Sequence, residues 1–593
     1  MNQEHLDHLR HSCAHLLAAA VLKLWPDTKQ TIGPAIHNGF YYDFEFAEPI
    51  SDKDLGRIDQ KMRELMKKWD AFERKEVTKE EALNLFKDNP YKQELIHELA
   101  EKGEKITVYQ SGEYIDLCRG GHTDDPRNAL KHFKLLTIAG AYWRGDEKNT
   151  MLTRIYGTAF ATKEELEKYL WQLEEAKKRD HKKLGKELGL FIFSDLVGPG
   201  LPLWTPKGTI MRNLLDDFVW KLRKERGYMK VTIPHITKKD LYETSGHWTK
   251  FENELFKIKS REGHLFAMKP MNCPHHTQIF AAVPRSYKEM PQRYTETTTC
   301  YRDEQTGELS GLSRVRAFTQ DDAHVFCRKN QIKEEYSRIW DIVNIFYSTF
   351  GFKLKVRLSL HDPKNMKAYL GTEEMWNEAE EAIRTIANER GAEYYEAVGE
   401  AAFYGPKIDF MADDSIGREW QVATIQLDIN MPERFDLSCT NEKGEKERIV
   451  MIHAAIMGSI ERFSSILIEH YGGAFPTWLA PVQTAVIPIS EKHLALAEVV
   501  QDLLIKHGIR SEINTDQKSV SYKIRQSTLQ KIPYMVIIGD KEVESSRFDE
   551  TKKANSAKSI EVTVRSRDGK DLGILNLDAF ISNLTNKIEK YDS

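Results

Sequence analysis

Two strand-like segments near the middle of the chain constrain its fold more than any other feature. Residues 293–300 and 313–319 are rich in β-branched and aromatic side chains, and a turn-rich loop joins them. Such a pair predicts neighbouring antiparallel strands. Further strand-like segments lie at 230–233 and 264–268. Residues 190–476 are therefore predicted to form an antiparallel sheet flanked by helices.

The length of the chain requires several domains, because 593 residues exceed what one hydrophobic core usually holds. Residues 161–189 contain the capping box Thr-Lys-Glu-Glu and continue as a charged helical stretch that suits a solvated connection. We therefore predict an α+β multidomain chain, with an α+β domain at 1–160, a connecting helix at 161–189, the sheet domain at 190–476 and a small α/β domain at 477–593.

Composition and spacing argue against several classes of protein. No run of about 18 apolar residues is present, so a membrane span is not expected. The first twenty residues place apolar side chains at helical spacing and contain no obvious secretion signal. Six cysteines without disulfide-framework spacing favour a reducing, cytoplasmic compartment. The net charge of −4 neither indicates nor excludes a nucleic-acid partner.

Three arginines stand where they could bind nucleotide phosphates. No GxxxxGKS or GxxxxGKT sequence occurs, and no GxGxxG opens a helix, so side chains would have to hold the phosphates of ATP. Arg302 ends the first predicted strand, Arg314 begins the second, and Arg462 lies in a predicted amphipathic helix at 453–463. The planar fork of arginine suits bidentate phosphate binding, although each of them, taken singly, is more often a surface residue.

Two groups of histidines and cysteines have the chemistry of metal ligands. Cys273, His324 and His453 would suit Zn²⁺ and leave one position open, but their wide separation equally allows buried packing residues. A second group pairs two histidines at i and i+4 with a later Cys-x-x-x-His. This His₃Cys set is either a chance arrangement or a sensible zinc set, and its members are His11, His15, Cys118 and His122.

These features resemble the class II aminoacyl-tRNA synthetases. The strand-loop-strand with its flanking arginines is similar to their motif 2, and Gly458-x-x-x-Arg462 is similar to motif 3. Pro234 matches the motif 1 proline that usually lies at a dimer interface. The words PMNCPHH, RVRAFTQDDAH, FYGPKID, REWQ and MIHAAIMGSIERF then resemble threonyl-tRNA synthetases, over essentially the whole chain. The resemblance implies a class II antiparallel sheet core, an N-terminal editing domain and a C-terminal anticodon-binding domain.

The implied activity is ATP-dependent ligation of L-threonine to tRNA(Thr) through a threonyl-adenylate. Arg302 would neutralise the α-phosphate, while Arg314 and Arg462 would hold the pyrophosphate with Mg²⁺. Glu304 and Phe318 match positions that read and stack on adenine. The residues expected close to threonine or the adenylate are Met271, Gln320, Asp322, Tyr404 and Gln421.

The resemblance also implies one Zn²⁺ per subunit on Cys273, His324 and His453. An open position on this ion would take the amino group and the hydroxyl of threonine, and valine has no hydroxyl. Serine differs from threonine by only one methyl, which is worth about 1–3 kcal/mol, so a second, hydrolytic site is expected.

Residues 1–160 resemble the editing domain of threonyl- and alanyl-tRNA synthetases. The positions matched for hydrolysis of mischarged seryl-tRNA(Thr) are His11, His15, Lys92, Asp116, Cys118 and His122. Threonyl enzymes are thought to use this site without a bound metal. Gly121 stands where the family commonly has proline. The ubiquitin-like domain that usually comes first is expected to be absent.

The last domain resembles the anticodon-binding domain of class II synthetases, with Gln517, Glu542 and Arg565 at positions that read anticodon bases. The partners implied are tRNA(Thr), ATP, L-threonine and a second copy of the chain in a homodimer. Two alternatives have different chemistry. One is a catalytically inactive paralogue that acts as an RNA-binding regulator, and the other is a metal-dependent ester hydrolase built on the N-terminal quartet.

Overall fold

The computed structural model describes residues 3–546, 548–549, 554–555 and 560–592. Its internal contacts divide the chain into two compact units, Met1–Glu174 and Glu175–Ser593. Among the described residues no helix has both the length and the apolar character to cross a membrane.

The first unit is organised around the helix Gln3–Leu24. Apolar residues at helical spacing, including Leu9, Leu16 and Leu17, are fully or almost fully buried against the unit's main sheet. The helix ends just before Pro26, which disfavours helical geometry in the residue preceding it. The predicted N-terminal helix is therefore confirmed, but it is not amphipathic, because every residue from 12 to 21 is buried.

Two antiparallel sheets complete the first unit. The main sheet has five strands: Lys29–Gln30, Ala35–Ile36, Gly39–Glu45, Phe133–Tyr142 and Met151–Ala159. The smaller sheet has three strands: Glu73–Glu76, Thr107–Ser111 and Tyr114–Leu117. The shorter helices of this unit are Leu55–Met66, Lys79–Leu85, Pro90–Glu101 and Pro126–Ala129.

The charged segment after residue 160 forms two helices, whereas one continuous stretch was predicted. Lys163–Arg179 begins at the expected capping box, in which the Thr162 amide donates to Glu165 and the Glu165 amide donates back, both at 3.2 Å. No residue of this helix is buried, which agrees with a solvated helix. Asp180 then caps the second helix, His181–Glu187, by accepting from the Lys182 amide at 2.7 Å.

The core of the second unit is an eight-stranded, mainly antiparallel sheet. Its strands, in spatial order, are Met229–Lys230, Gln292–Tyr301, Ala317–Cys327, Val450–Ser459, Glu419–Asp428, Lys407–Asp413, Leu354–Leu360 and Tyr394–Val398. Only the first pair and the last pair are parallel. Helices that pack against this sheet bury a large apolar cluster, and the longest of them are Pro206–Lys224, Ile332–Thr349, Glu373–Glu389 and Ile460–Tyr471.

The predicted helix at 453–463 is wrong for most of its length. Residues Val450–Ser459 form a central strand, and the helix begins only at Ile460. A central strand buried on both faces reads as an unbroken apolar run, which periodicity cannot distinguish from a helix. Gly458 has a φ of +73°, and Ser459 caps the helix by accepting from the Arg462 amide at 3.1 Å.

The second strand of the central pair also begins later than predicted, at Ala317 instead of Ser313. Arg314 therefore lies in the loop, where Ser310 and Arg314 form an isolated bridge. The Arg316 amide, just before the strand begins, donates to the Gly200 carbonyl at 2.8 Å. At this residue the backbone therefore bonds to the loop around Gly200 and not to the neighbouring strand. Arg302 directly follows the first strand, as predicted.

Residues beyond 480 form the predicted α/β fold. Its sheet is parallel on one side and antiparallel on the other, with the order Ser511–Ile513, Thr484–Pro488, Tyr534–Ile538, Glu561–Ser566 and Asp571–Asn576. Four helices accompany these strands: Leu494–Lys506, Val520–Leu529, Asp540–Ser546 and Leu577–Glu589.

The remaining elements of the second unit are short. The helices are Lys239–Ser245, His247–Lys250, Cys273–Ala281 and Met431–Arg434. The short strands are Phe191–Ile192, Leu203–Trp204, Ile236–Lys238, Lys257–Lys259, Leu265–Met268, Ser438–Thr440, Lys446–Arg448, Phe548–Asp549 and Ala554–Asn555.

Candidate functional site

The structure brings Cys273, His324 and His453 together in the second unit. The two histidines are direct partners in the register of adjacent antiparallel strands, so their rings meet on one face of the sheet. His324 Nε2 lies 3.1 Å from His453 Nδ1. Cys273 begins the helix Cys273–Ala281, and one donor atom from each of the three residues lies within 4.8 Å of the others. All three side chains are buried.

Hydrogen bonds behind the two histidines orient their rings. His453 Nε2 lies 2.9 Å from an oxygen of Asp428, whose other oxygen accepts from the amides of Asn430 and Met431. The Nε2 proton therefore points to the carboxylate, and the lone pair of His453 Nδ1 faces the cluster. Burial, reinforced by His276, lowers the pKa of His324 well below its usual value, so His324 is neutral. The thiol of Cys273, neutral His324 and the Nδ1 lone pair of His453 form a donor set that fits Zn²⁺.

Two of the predicted threonine-site residues border this cluster directly. The Tyr404 ring stacks on His453, with centroids 4.7 Å apart, and its hydroxyl donates to Gln426. Asp322 lies two residues before His324 on the same strand, so both are on one face of the sheet. Its carboxylate accepts a hydrogen bond from Asn272 Nδ2 at 3.0 Å. Burial raises the pKa of the Asp322 carboxyl to about 6.

Met271 and Gln320 lie near the same cluster. Met271 Sδ is 3.0 Å from His247 Nε2, and that nitrogen is also 3.9 Å from Cys273 Sγ. Gln320 Oε1 accepts from the thiol of Cys300 at 3.7 Å. Met271 therefore reaches Cys273 through His247, whereas Cys300 links Gln320 to Asn272, which in turn donates to Asp322.

Five of the six predicted ATP residues form two contacting pairs and one separate arginine, and the sixth is Gln421. The Arg302 guanidinium lies 5.1 Å from the centre of the Phe318 ring. Arg314 Nε donates to Glu304 at 2.8 Å, so these two side chains form an ion pair. Arg462 lies 5.9 Å above the ring of Trp420, and burial lowers the pKa of its guanidinium.

Gln421 is held by a buried polar network. Its Nε2 donates to Asp409 at 2.9 Å, and its oxygen accepts from Arg357 at 2.8 Å. Asp409 is fully buried and also accepts from Ser359 and Thr424. These contacts fix which end of the Gln421 amide is the donor.

The N-terminal quartet is assembled in the first unit. His11 and His15 lie one turn apart on the first helix, with their Nε2 atoms 3.2 Å apart. Cys118 follows the strand Tyr114–Leu117, and its sulfur lies 3.6 Å from His11 Nε2 and 3.3 Å from His122 Nε2. Burial lowers the pKa of His11, of His15 and, to about 2, of His122, so all three imidazoles are neutral.

Lys92 and Asp116 form a buried pair next to the quartet. Lys92 Nζ is 2.5 Å from one oxygen of Asp116, and both side chains are about 2% exposed. The Tyr42 and Tyr114 hydroxyls donate to the other oxygen at 2.6 and 3.0 Å. That oxygen is also 3.7 Å from His15 Nδ1, so the pair joins the quartet.

The three predicted anticodon residues have different surroundings. Gln517 is exposed and lines a cleft of about 410 Å³ together with Lys523. The carboxylate of Glu542 is buried and accepts from the Gly539 amide and the Thr563 hydroxyl. Arg565 lies on the strand Glu561–Ser566, opposite Met535. None of the three contacts another in the described part of the chain.

Several residues near the cluster of Cys273, His324 and His453 were not predicted from the sequence. His276 Nδ1 is 2.8 Å from His324 Nδ1, His247 touches Cys273, and Asp428 holds His453. The sequence contained a signal for two of them. His276 is one helical turn from Cys273, and Asp428 interrupts an apolar strand with a charge that needs a buried partner.

Three family models match separate parts of the chain. Residues 256–471 match the tRNA synthetase class II core domain (G, H, P, S and T), and residues 483–587 match an anticodon binding domain. Residues 106–156 match the threonyl and alanyl tRNA synthetase second additional domain. Together they confirm the predicted fold class.

Curated relatives match nearly the whole chain. The threonine–tRNA ligase of Cytophaga hutchinsonii is 47% identical over 586 residues, and that of Thermotoga maritima is 47% identical over 582 residues. Each match covers 98% of this chain and 88% of the relative. The threonine–tRNA ligase of Porphyromonas gingivalis is 47% identical over 98% of this chain and 87% of its own.

Solved structures agree with these matches. The RNA binding domain of threonyl-tRNA synthetase from Cryptosporidium parvum has a TM-score of 0.64 and 37% identity, covering 69% of this chain and 98% of its own. A structure titled putative threonyl-tRNA synthetase ThrRS-1 from Aeropyrum pernix has a TM-score of 0.59 at 30% identity, over 70% of this chain and 97% of its own. Because these sequence relatives match nearly the whole chain at 47% identity, this chain belongs to the threonine–tRNA ligase family.

Proposed function

We propose that the protein activates L-threonine with ATP, transfers it to tRNA(Thr) and hydrolyses mischarged seryl-tRNA(Thr). The buried cluster of Cys273, His324 and His453 is the observation that best supports the ligase activity. It lies on the same sheet whose hairpin bears Arg302 and Phe318. An inactive RNA-binding regulator would have no use for a substrate-binding metal cluster beside phosphate-binding arginines.

In the activation step, the threonine carboxylate would attack the α-phosphate of ATP, so that a new oxygen–phosphorus bond forms, the bond between the α-phosphorus and the bridging oxygen breaks, and pyrophosphate leaves. Mg²⁺ would help to neutralise the charge of the pyrophosphate. Arg302 is well suited to the α-phosphate. It lies between the rings of Phe251 and Phe318, its Nε has no hydrogen-bond partner, and the Glu254 carboxylate is 4.0 Å away. Its guanidinium can therefore bind a phosphate without breaking a close ion pair.

Arg314 and Arg462 would hold the pyrophosphate as it leaves. Arg314 must first exchange its ion pairs with Glu304 and Glu308 for phosphate oxygens, so the loop side chains rearrange when ATP binds. Glu304 is then free to accept from the exocyclic amine of adenine. Phe318 offers its ring for stacking, and Gln421 is held in one orientation by Asp409.

We further propose that Cys273, His324 and His453 hold one Zn²⁺. Such an ion would have three protein ligands and could bind the amino group and the hydroxyl of threonine as two further ligands, whereas valine has no hydroxyl to offer. Asp322 would accept a hydrogen bond from the threonine hydroxyl, and the Tyr404 ring stacks on His453 beside it. Met271 and Gln320 complete the expected surroundings of the substrate.

Removal of serine is proposed for the first unit. Hydrolysis breaks the ester between the serine carbonyl and the tRNA ribose, and the attacking water must lose a proton. His11, His15 and His122 are neutral and can accept that proton. Asp116 of the Lys92–Asp116 pair lies 3.7 Å from His15 Nδ1, and the Cys118 sulfur lies beside His11 and His122.

The remaining partners are proposed on the resemblance and on exposed surface. Met229 and Ile236 are nearly half exposed on either side of the exposed Pro234, and Met229 lies on an edge strand of the large sheet. This surface suits a homodimer. Gln517, Glu542 and Arg565 are proposed for the anticodon. Six free cysteines favour a reducing cytoplasm.

The domain limits proposed for this activity are 1–160 for editing, 161–189 for the connection, 190–476 for catalysis and 477–593 for the anticodon. They follow the composition of the sequence and the breaks between its predicted elements.

Amino-acid-dependent pyrophosphate exchange with ATP tests the ligase proposal. We expect exchange with threonine, weaker exchange with serine and almost none with valine, and a Cys273→Ala variant should lose the threonine signal. Absence of threonine-dependent exchange in zinc-replete protein would refute it.

Deacylation of seryl-tRNA(Thr) tests the editing proposal. The double variant His11→Ala, His15→Ala should lose hydrolysis and keep threonine-dependent exchange. Unchanged hydrolysis in this variant would show that the editing site lies elsewhere.

A further inference from the structure

We propose that His181 is a positioning residue for ATP binding, because it fixes the backbone of the hairpin loop 302–316 and thereby keeps Arg314 within reach of the phosphates. His181 begins the helix His181–Glu187, inside the charged stretch that was predicted to be a solvated connection. It is nevertheless only 3% exposed. The effect on ATP rests on the proposed ligase function, whereas the effect on the loop does not.

The imidazole of His181 lies between a carboxylate and a backbone amide. Its Nδ1 is 2.6 Å from Oε1 of Glu469, and the His181 amide donates to the same oxygen at 3.2 Å. Its Nε2 is 3.0 Å from the amide nitrogen of Leu312, in the loop. An amide N–H only donates, so Nε2 accepts and the ring proton is on Nδ1, facing Glu469. The neutral ring therefore connects Glu469 to the loop backbone.

The part of the loop that His181 contacts is buried and lies close to the ring. The Leu312 side chain is fully buried in the core of the second unit. Gly311 has a φ of +52°, and a Cβ at this position would lie 2.2 Å from His181 Nε2. Without an acceptor, the Leu312 amide would be a buried donor with no partner, which the loop would relieve by moving away. Arg314 follows Leu312 closely in the chain and would move with it.

Glu469 connects this contact to the helix that bears Arg462. Burial alone would raise the pKa of the Glu469 carboxyl, but the hydrogen bond from His181 and the charge of Arg418 hold the pKa below its usual value, so Glu469 is ionised. Arg418 Nη2 is 2.6 Å from Oε2 of Glu469. The guanidinium of Arg418 lies 5.2 Å from the centre of the Trp420 ring, and that of Arg462 lies 5.9 Å from it. One buried carboxylate thus contacts the surroundings of both arginines proposed for the pyrophosphate.

A second contact joins the loop to the same helix. The Ser465 hydroxyl donates to the Arg462 carbonyl at 2.7 Å, so it accepts from the Ser313 hydroxyl, at 3.3 Å. In the proposed reaction, Arg314 exchanges its ion pairs for phosphate oxygens. A backbone that is already in place limits this rearrangement to side chains, which reduces the entropy lost on binding.

A second buried histidine of the same unit provides the matched control. The His361 amide and Nδ1 both face Oε1 of Glu380, at 2.9 and 2.7 Å, and His361 is also 3% exposed. Its Nε2, however, has no hydrogen-bond partner among the described residues. The two histidines therefore share the carboxylate contact and differ in what Nε2 contacts.

Pyrophosphate exchange with conservative variants tests the effect on ATP. The amide group of asparagine lies as many bonds from Cα as Nδ1 of histidine, and that of glutamine lies as many as Nε2. His181→Asn should therefore keep the contact with Glu469 and lose that with Leu312. Its KM for ATP should rise about 10-fold, with kcat and the KM for threonine within about twofold of wild type. His181→Gln, whose oxygen can accept from the Leu312 amide, should restore most of this loss, and His361→Asn should keep the wild-type KM.

A role in folding alone predicts a different result. It would lower both kcat and zinc content in His181→Asn and would leave the KM for ATP unchanged. Equal KM values for ATP in His181→Asn and wild type, or in His181→Asn and His181→Gln, would contradict the role of Nε2.

Hydrogen–deuterium exchange in the absence of ATP measures the loop without any catalytic reaction. The peptide that contains Leu312 should take up deuterium about 10-fold faster in His181→Asn than in wild type, and at the wild-type rate in His181→Gln and His361→Asn. An unchanged rate of deuterium uptake in His181→Asn would overturn the proposal. If wild-type protein shows no threonine-dependent pyrophosphate exchange, the ligase proposal fails, whereas deuterium uptake still decides whether His181 fixes the loop.

Discussion

Asp428→Asn should weaken zinc binding at the cluster of Cys273, His324 and His453 without unfolding the sheet. One Asp428 oxygen accepts from two backbone amides at 2.9 and 2.8 Å, and the other faces His453 Nε2 at 2.9 Å. Asparagine has only one oxygen. Whichever way its amide is turned, its NH₂ group meets either the two amide donors or His453.

The single side-chain oxygen of the variant should face the two backbone amides, because a buried amide without a partner costs about 1–3 kcal/mol and this orientation provides a partner for both. The NH₂ group then faces His453 Nε2 and donates to it. This places the His453 proton on Nδ1, the nitrogen that faces the metal cluster. Loss of such a supporting contact typically costs about 10- to 100-fold in metal affinity, or about 1.4–2.8 kcal/mol.

Competition with a chromophoric chelator at fixed pH measures this affinity. Asp409→Asn is the matched control, since it changes another fully buried carboxylate of the same sheet that has no contact with the cluster. We expect the control to keep wild-type zinc affinity. A zinc affinity of Asp428→Asn within twofold of wild type would refute the tautomer argument.

Three further predictions concern other positions. Gly405→Ala should destabilise the protein by about 1–3 kcal/mol, seen as a lower unfolding temperature, because its Cβ would lie 1.8 Å from the Leu427 carbonyl oxygen. Asp409→Asn should raise the KM for ATP about 10-fold in pyrophosphate exchange, since Gln421 loses a charged acceptor. Asp409 should also stabilise the fold at neutral pH and lose this contribution as the pH falls. Burial alone would raise its pKa, but Lys407 and hydrogen bonds from Ser359 and Thr424 hold the pKa below the usual value. This contribution to stability is therefore present above the unfolded pKa, near 3.9, and is lost as the pH drops through the lower folded pKa. In acid unfolding experiments, the difference in unfolding free energy between wild type and Asp409→Asn should shrink below about pH 4.

Local patterns predicted local structure well. The N-terminal helix, the capping box at Thr162 and the alternating elements after residue 480 all follow from spacing within a few turns of chain. The sheet around 292–327 was predicted for the same reason, because two β-rich segments flank a short loop.

Features that depend on distant partners were not predictable in this way. The run 450–459 looks helical until it is placed between strands 317–327 and 419–428. The partner of His453 is Asp428 on the neighbouring strand, and the partner of His324 is His276 on the helix Cys273–Ala281. The sequence marks both residues as unusual, but no local spacing shows which histidine each of them contacts. The resemblance to a family predicted the ligand positions, whereas the contacts that support these ligands are visible only in the structure.

The pairing of His324 with His453 also makes metal retention a reporter of how the sheet is assembled. The two residues are 129 positions apart, yet they face each other in strict register. Sliding one strand by a single residue would turn one ring to the opposite face. During synthesis from the N-terminus, the ligand set stays incomplete until strand 450–459 has inserted between its neighbours. Zinc bound to these ligands would thus distinguish a correctly assembled sheet from a misaligned one. In refolding experiments with pulse-labelled metal, zinc uptake should follow the pairing of strand 450–459 with its two neighbours.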